Sequence, residues 1–361
     1  SGRIQDISAS RYPTVPVSVG LRYPWWRLVF ASVVVVAVAL FAVSQGSVGI
    51  PIGSVVKILV SKIPFVSLEA DWPSTWETIL WQLRWPRVVL AGIVGAALAT
   101  CGAAYQGLFK NPLADPYLIG VASGAGLGAT MVLVSGVPLF FVGISVLPAA
   151  AFIGGMGAVV LAYMIARQSS GTALTTLILA GVAIASLAGA VTSLLMIRSD
   201  PDVKPVLSWL LGGFISARWS HSAFVLAYLF PAGLAFAAYG RILNVLQLDE
   251  DHASQLGVNV EKTKLLLVAS ATLGTAAAVS FSGLIGFVGL VAPHVVRLAW
   301  GSDYRFLLPM SAFVGAAFLI LADLVARTIV SPGELPVGIV TAFCGAPFFL
   351  YLLRKRKTIN L

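Results

Sequence analysis

Few side chains in this 361-residue chain could do chemistry, and their spacing narrows what that chemistry is. No Gly-x-x-x-x-Gly-Lys-Ser/Thr phosphate loop occurs, so the chain does not itself cradle a nucleotide in that way. His221, His252 and His294 stand far apart without ligand spacing, which favours structural or interfacial roles and gives no metal site. Cys101 and Cys344 both fall in apolar runs, which excludes a disulfide framework and gives them the character of small buried hydrophobes. No catalytic residue is assigned. Two arrangements remain. Asp323 and Arg327 have the i, i+4 spacing of a helical ion pair. The run Leu248-Asp-Glu-Asp-His-Ala-Ser-Gln-Leu-Gly257 is a polar island between apolar stretches. It is either a solvated loop or a short amphipathic helix that lies flat and offers its surface to a soluble partner.

The elements that position these groups follow from composition. The chain is 58% hydrophobic and 10% charged, against about 25% charged in soluble domains. Most of its surface must face lipid, which excludes a disordered protein, a nucleic-acid binder and a water-facing enzyme. A membrane span needs about 20 apolar residues. Stretches free of Asp, Glu, Lys and Arg predict one helix each at 28–56, 88–109, 168–197, 219–240, 306–322 and 335–353. The stretch 116–166 is too long for one span and divides near Gly136 and Pro138. In 265–296, Gly283, Gly286, Gly289 and Pro293 predict a full span followed by a shorter, irregular one. The total is about ten transmembrane helices. The first span follows the flank 1–27 and exceeds the apolar core of a signal peptide, so it is expected to be retained.

Basic residues give the orientation. With the N-terminus inside, the inner segments hold fifteen of the twenty-three lysines and arginines, among them Lys262, Lys264 and the C-terminal Arg354 to Lys357. The outer segments hold Lys57, Lys62, Arg84, Arg87, Arg198, Lys204, Arg218 and Arg327. The bias predicts cytoplasmic termini, although eight basic residues outside are more than such a protein needs. Proton-driven carriers place ionisable groups at mid-membrane. These spans are clean of carboxylates apart from Asp323, near the end of the ninth helix. The energy source is therefore expected in another chain.

Several segments resemble one known family. Arg84-Trp-Pro-Arg87 opens the second span, and Gln106-Gly-Leu-Phe-Lys-Asn-Pro-Leu-Ala-Asp-Pro116 ends it. Leu118-Ile-Gly-Val-Ala-Ser-Gly-Ala125 and Leu179-Ala-Gly-Val-Ala183 follow, then Gly286-Phe-Val-Gly-Leu-Val-Ala-Pro-His294, Leu321-Ala-Asp-Leu-Val-Ala-Arg327 and Glu334-Leu-Pro-Val-Gly-Ile-Val-Thr341. Their order and spacing closely resemble the FecCD-type permeases, membrane subunits of ABC importers for vitamin B12, haem and ferric siderophores. The resemblance runs from Arg84 to the C-terminus.

It implies an all-α membrane protein with the BtuC-like ABC importer fold, set in the bacterial inner membrane. The permease domain would occupy 28–353, between a cytoplasmic tail, 1–27, and a basic tail, 354–361. It also implies a homodimer, two cytoplasmic ATPase subunits that use ATP and Mg, and an extracytoplasmic binding protein that delivers a metal chelate. No cofactor is expected on this chain and no nucleic acid among its partners. Iron chelates, haem or a siderophore, are preferred over cobalamin as the more numerous branch of the family. An ion-gradient-driven carrier or channel is the rival class. The polar island becomes the ATPase-coupling segment, 241–264, with Glu250, Ala253, Leu256 and Gly257 on the coupling surface. Asp249 replaces the family's usual Gly there, and Ser254 stands where Arg is common. Arg84, Arg87 and Arg327 match positions that dock the binding protein. The turn Gln168-Ser-Ser-Gly-Thr172 helps to close the path, with the cytoplasmic gate at Leu174 and Thr175, unless Thr172 only caps its helix.

Overall fold

Glycine, proline and short polar runs cut the apolar sequence into helices. The computed structural model describes residues 25–46, 48–62, 71–141, 144–168, 171–199, 203–248, 250–330 and 333–357. In chain order the helices are α1 (Trp25–Ser44), α2 (Ile52–Ser61), α3 (Ser74–Thr78), a π-helical turn (Ile79–Arg84), α4 (Trp85–Leu108), α5 (Val121–Ser135), α6 (Val146–Ala166) and α7 (Leu174–Arg198). They continue with α8 (Lys204–Leu211), α9 (Trp219–Leu246), α10 (Glu250–Gln255), α11 (Val260–Ser282), α12 (Val288–Trp300), α13 (Tyr304–Thr328) and α14 (Val337–Lys357). Strand β1 (Phe140–Phe141) pairs antiparallel with β2 (Ile144–Ser145), and β3 (Arg167–Gln168) with β4 (Gly171–Thr172).

Each of the eight predicted apolar stretches is helical, and the fold is all-α. Among the described residues seven segments are long and apolar enough to cross a membrane: α1, the continuous run 74–108 through α4, α6, α7, α9, α11 and α13. α5, α12 and the apolar part of α14 are shorter. Helices below span length are tolerated where protein surrounds their ends. The stretch 265–296 divides at Gly283–Phe287 as predicted. The stretch 28–56 needs correction, because it is two helices rather than one span with a tail. Gly46, Gly49 and Pro51 stop α1, and α2 starts just after the proline. The tail 1–27 lies outside the described residues except for Trp25 to Arg27, and so do Asp249 and 358–361.

Small residues decide which helix is central. Of the best apolar window in each segment, 78% is buried in 74–108 and 17% in α1, so α4 is the hub and α1 the periphery. α4 packs against α13, α11, α12 and α9. Lipid tails are as apolar as leucine, so helices associate here through close packing of small residues. A Cβ on Gly95 would lie 2.3 Å from the Gly315 carbonyl oxygen of α13, and one on Gly102 would lie 2.2 Å from that of Gly289 in α12. Only glycine permits these two crossings. Ahead of the hub, Pro86 has no N–H to donate and its ring crowds the carbonyl one turn back. The π turn just before it supplies the local widening that such a proline requires.

Gly95→Val should therefore lower the stability of the detergent-solubilised protein by about 1–3 kcal/mol or more, since overpacking here meets backbone. Gly157→Ala, where nothing lies within 4 Å of the new Cβ, should leave the melting temperature unchanged. Equal melting curves for both variants would refute the crossing.

Candidate functional site

Two clusters of charge occupy opposite ends of the bundle. The first gathers where α1 and α13 end and where α4 and α14 begin. Helix ends leave carbonyls without intrahelical partners. Here arginines from other helices satisfy those of α1. Arg84 Nη1 donates to the carbonyls of Val43 (2.8 Å) and Ser44 (3.1 Å), and its Nη2 to Val48. Arg327 donates to the carbonyls of Gln45 (3.0 Å) and Ala42. Asp323, 1% exposed, sits beneath them. Its close partner is Arg87, whose Nε and Nη2 reach it at 2.8–3.1 Å. The predicted partner, Arg327, lies at a looser 3.7 Å. Arg87 turns its remaining nitrogen, Nη1, to Glu334 at 2.9 and 3.0 Å.

These contacts revise how the outer arginines are read. Arg84 is buried and spends both terminal nitrogens inside the chain, so it is a helix cap rather than an open hand for an external carboxylate. Part of the excess of basic residues at this end has local partners, since Lys57 pairs with Asp71 and Lys62 with Glu77. Arg87 and Glu334 keep an outlook. Both line a cavity of about 480 Å³ that also touches Arg218 and His221.

The second cluster lies where α9 ends, at the polar island. The island is helical, α10, and Leu256 and Gly257 are exposed beyond it. Ala253 is fully buried, which corrects its expected place on the coupling surface. Its methyl anchors the short helix to the bundle, and the exposed apolar groups are Leu248 and Leu256. Lys264, in the second turn of α11, reaches back to this segment. Its side chain is 6% exposed, and Nζ donates to Glu250 Oε2 (2.8 Å), Glu261 Oε1 (3.2 Å) and the Thr172 carbonyl (3.2 Å). Glu261 in turn accepts the Thr172 N–H at 2.8 Å. One buried ammonium thus ties α10 to the β3–β4 hairpin that leads into α7.

The predicted gate turn is this hairpin; its Ser169 and Ser170 lie outside the described residues. Thr172 does not cap α7. The N-cap is Ala173, and the Thr172 hydroxyl meets the Tyr163 hydroxyl at 3.2 Å. Leu174 is half-buried against the core that includes Leu177 and Ala180, and Thr175 is exposed.

Between the two ends, the unwound stretch 283–287 separates α11 from α12. Phe287 has φ +70°, an outlier for a bulky side chain. Its ring lies against Gly345 of α14, where a Cβ would come within 2.4 Å. It faces a cavity of about 540 Å³ along α14, lined by Leu211, Leu284, Ile339, Ala342 and Phe343 and, among the described residues, by no charged side chain. Sequence patterning missed Lys264 and Phe287. The only signals were a lysine two turns beyond an acidic island and a bulky residue set between Gly286 and Gly289.

Known proteins are similar to this chain over most of its length. The profile of the FecCD transport family matches residues 31–355. The cobalamin import system permease protein BtuC of Halobacterium salinarum is 43% identical over 335 residues, covering 89% of each chain. The hemin transport system permease protein HmuU of Yersinia pestis is 39% identical over 81% of this chain and 89% of its own. Among solved structures, an inward-facing one assigned to the metal-chelate type of ABC transporter superposes with a TM-score of 0.79 at 30% identity. It covers 91% of this chain and 99% of that one.

Removing one member of a buried ion pair strands the other, at about 3–5 kcal/mol. Asp323→Asn should accordingly lower the melting temperature sharply, and Glu334→Gln, at the exposed edge, much less. Comparable small shifts for both would show that Asp323 does not hold this end together.

Proposed function

The chain belongs to the FecCD transport family, and we propose that it is the permease subunit of an ATP-driven importer for a large metal chelate. It is a multi-pass protein of the cytoplasmic membrane, like the permease proteins it matches. In the proposed assembly two copies form a homodimer whose shared path runs beside the uncharged groove along α14. Two ATPase subunits, which bind and hydrolyse ATP with Mg, sit at the α10 end. An extracytoplasmic binding protein docks at the arginine end. Both termini are then cytoplasmic, with the permease domain at 28–353, tails at 1–27 and 354–361, and the coupling segment at 241–264.

The observation that carries this reading is the Lys264 latch. A surface that only solvates a loop has no need of a buried ammonium, and desolvating one costs several kcal/mol unless it is paired. Here the pairing spans Glu250 of α10 and the carbonyl of the gate hairpin. A force applied by an ATPase to Leu256, Gly257 and the exposed edge of α10 would reach Leu174 and Thr175 through this one side chain. At the other end, Arg87 with Glu334 forms the docking patch, and Arg84 and Arg327 hold α1 in place behind it.

The substrate proposal is coarser. Named relatives carry cobalamin and hemin, both large macrocyclic metal chelates, and uncharged walls suit such a cargo. Because these relatives name different cargoes, cobalamin, haem and ferric siderophores enter the panel as equals, and the preference for iron chelates read from the sequence is not kept.

The test is uptake into proteoliposomes that hold this chain with its ATPase, with the binding protein supplied outside. Uptake of one chelate should depend on ATP and be indifferent to a pH gradient; uptake that follows the gradient without ATP would overturn the reading. Lys264→Met should keep the ATPase bound while cutting ATP-driven uptake at least tenfold, and Lys264→Arg should restore part of it. Unimpaired uptake by a stably folded Lys264→Met complex would remove the latch from the mechanism.

A further inference from the structure

A second cavity, of about 760 Å³, lies away from the α14 groove, among α1, α4, α9 and α13. Its rim is polar. Arg27 at the start of α1, Arg241 near the end of α9 and Arg305 in the first turn of α13 converge there with Asp303 and Trp300. Its floor is apolar and includes Leu229, Phe236, Pro309 and Ala312. From Arg241 to Leu229 the cavity follows twelve residues of α9, about 18 Å at 1.5 Å per residue. The rim belongs to the α10 end of the bundle, because α9 ends only a few residues before α10 begins.

We propose that this cavity binds one anionic phospholipid, its phosphate on the arginine rim and an acyl chain along the floor. The charges match. Asp303 is committed, taking hydrogen bonds from Arg305 Nε and Nη2 (3.1 and 2.6 Å) and from Asn244 Nδ2 (2.7 Å). The Arg305 bond, ahead of the others, holds its pKa down at about 2. Arg305 and Asp303 thus offset each other, and Arg27 and Arg241 leave the rim net positive. Guanidinium forks suit phosphate oxygens, and basic pockets between helices at the cytoplasmic headgroup level select anionic lipids. Trp300 fits the same depth, since tryptophan gathers at the membrane interface. α1, which closes one side, is the least buried of the seven candidate spans. The length of the floor separates a lipid from a free phosphate, which needs no apolar trough. The chain's own first residues are a poor occupant, since they carry Arg3, Arg11 and Arg22 against Asp6 and a basic rim repels them.

The test uses the purified permease–ATPase complex, delipidated in a neutral detergent, and reads lipid retention by native mass spectrometry together with the melting temperature. Phosphatidylglycerol should bind and raise the melting temperature, whereas phosphatidylcholine and inorganic phosphate at equal concentration should not. Arg27→Gln combined with Arg241→Gln should weaken phosphatidylglycerol binding at least tenfold. Leu229→Trp, which fills the floor and leaves every charge in place, should do the same. Undiminished binding by both variants would overturn the proposal, and so would stabilisation by phosphate alone to the same extent. Neither readout depends on transport, so failure here leaves the importer reading standing, and the converse holds.

Discussion

Asp323 is the constraint around which one end of the molecule is arranged. A carboxylate that is 1% exposed must be matched by charge, and Arg87 and Arg327 supply it from two helices. Once those guanidiniums are fixed, their spare donors are fixed too. Arg327 reaches carbonyls in and just beyond the last turn of α1, and Arg87 reaches Glu334 at the approach to α14. Four helices are thus set at one depth by a single buried charge and the obligation to satisfy backbone oxygen inside a membrane. Arg84 adds its own pair of carbonyl bonds to the same helix end.

Much of this architecture was legible in the chain. Runs without charge marked the helices because lipid tolerates little else, and Gly283 and Gly286 marked the unwound break because glycine weakens the helical ladder. The interruption after α1 was harder to see, since Gly46 to Pro51 is still apolar overall and differs from a helix only in conformational preference. The direction in which side chains point was less legible still. Ala253 and Leu256 are neighbours on a short amphipathic segment, yet one is fully buried and the other exposed, and only the bundle beneath decides which. Arg87 and Asp323 stand 236 residues apart, a pairing that local spacing cannot reveal. The i, i+4 rule pointed instead to Arg327, which proved to be the looser partner.

The two ends solve different problems with similar groups. At the arginine end the buried partner is the anion, Asp323, gripped from several sides, and the geometry is suited to stay fixed. Bidentate contacts from a planar guanidinium leave little freedom. At the α10 end the buried partner is the cation, held by single contacts to a flexible ammonium, and the three oxygens it meets belong to three separate elements. Strain placed on one of them is shared with the others. The middle adds a strained point of its own, since Phe287 holds an unusual backbone with its ring seated on Gly345.

The exposure of the two sides of the Lys264 contact is unequal, and that gives the joint a direction. Lys264 is 6% exposed, while the side chains of Glu250 and Glu261 are 42% and 45% exposed. Pulling the lysine out would strip an ammonium of all its partners at once. Lifting α10 away returns a carboxylate to water that already touches it, at the cost of uncovering Ala253, and the lysine keeps Glu261 and the hairpin carbonyl. The contact is therefore a fixed peg with a detachable collar. It opens from the aqueous side, by departure of α10, and the peg remains in place to guide the collar back.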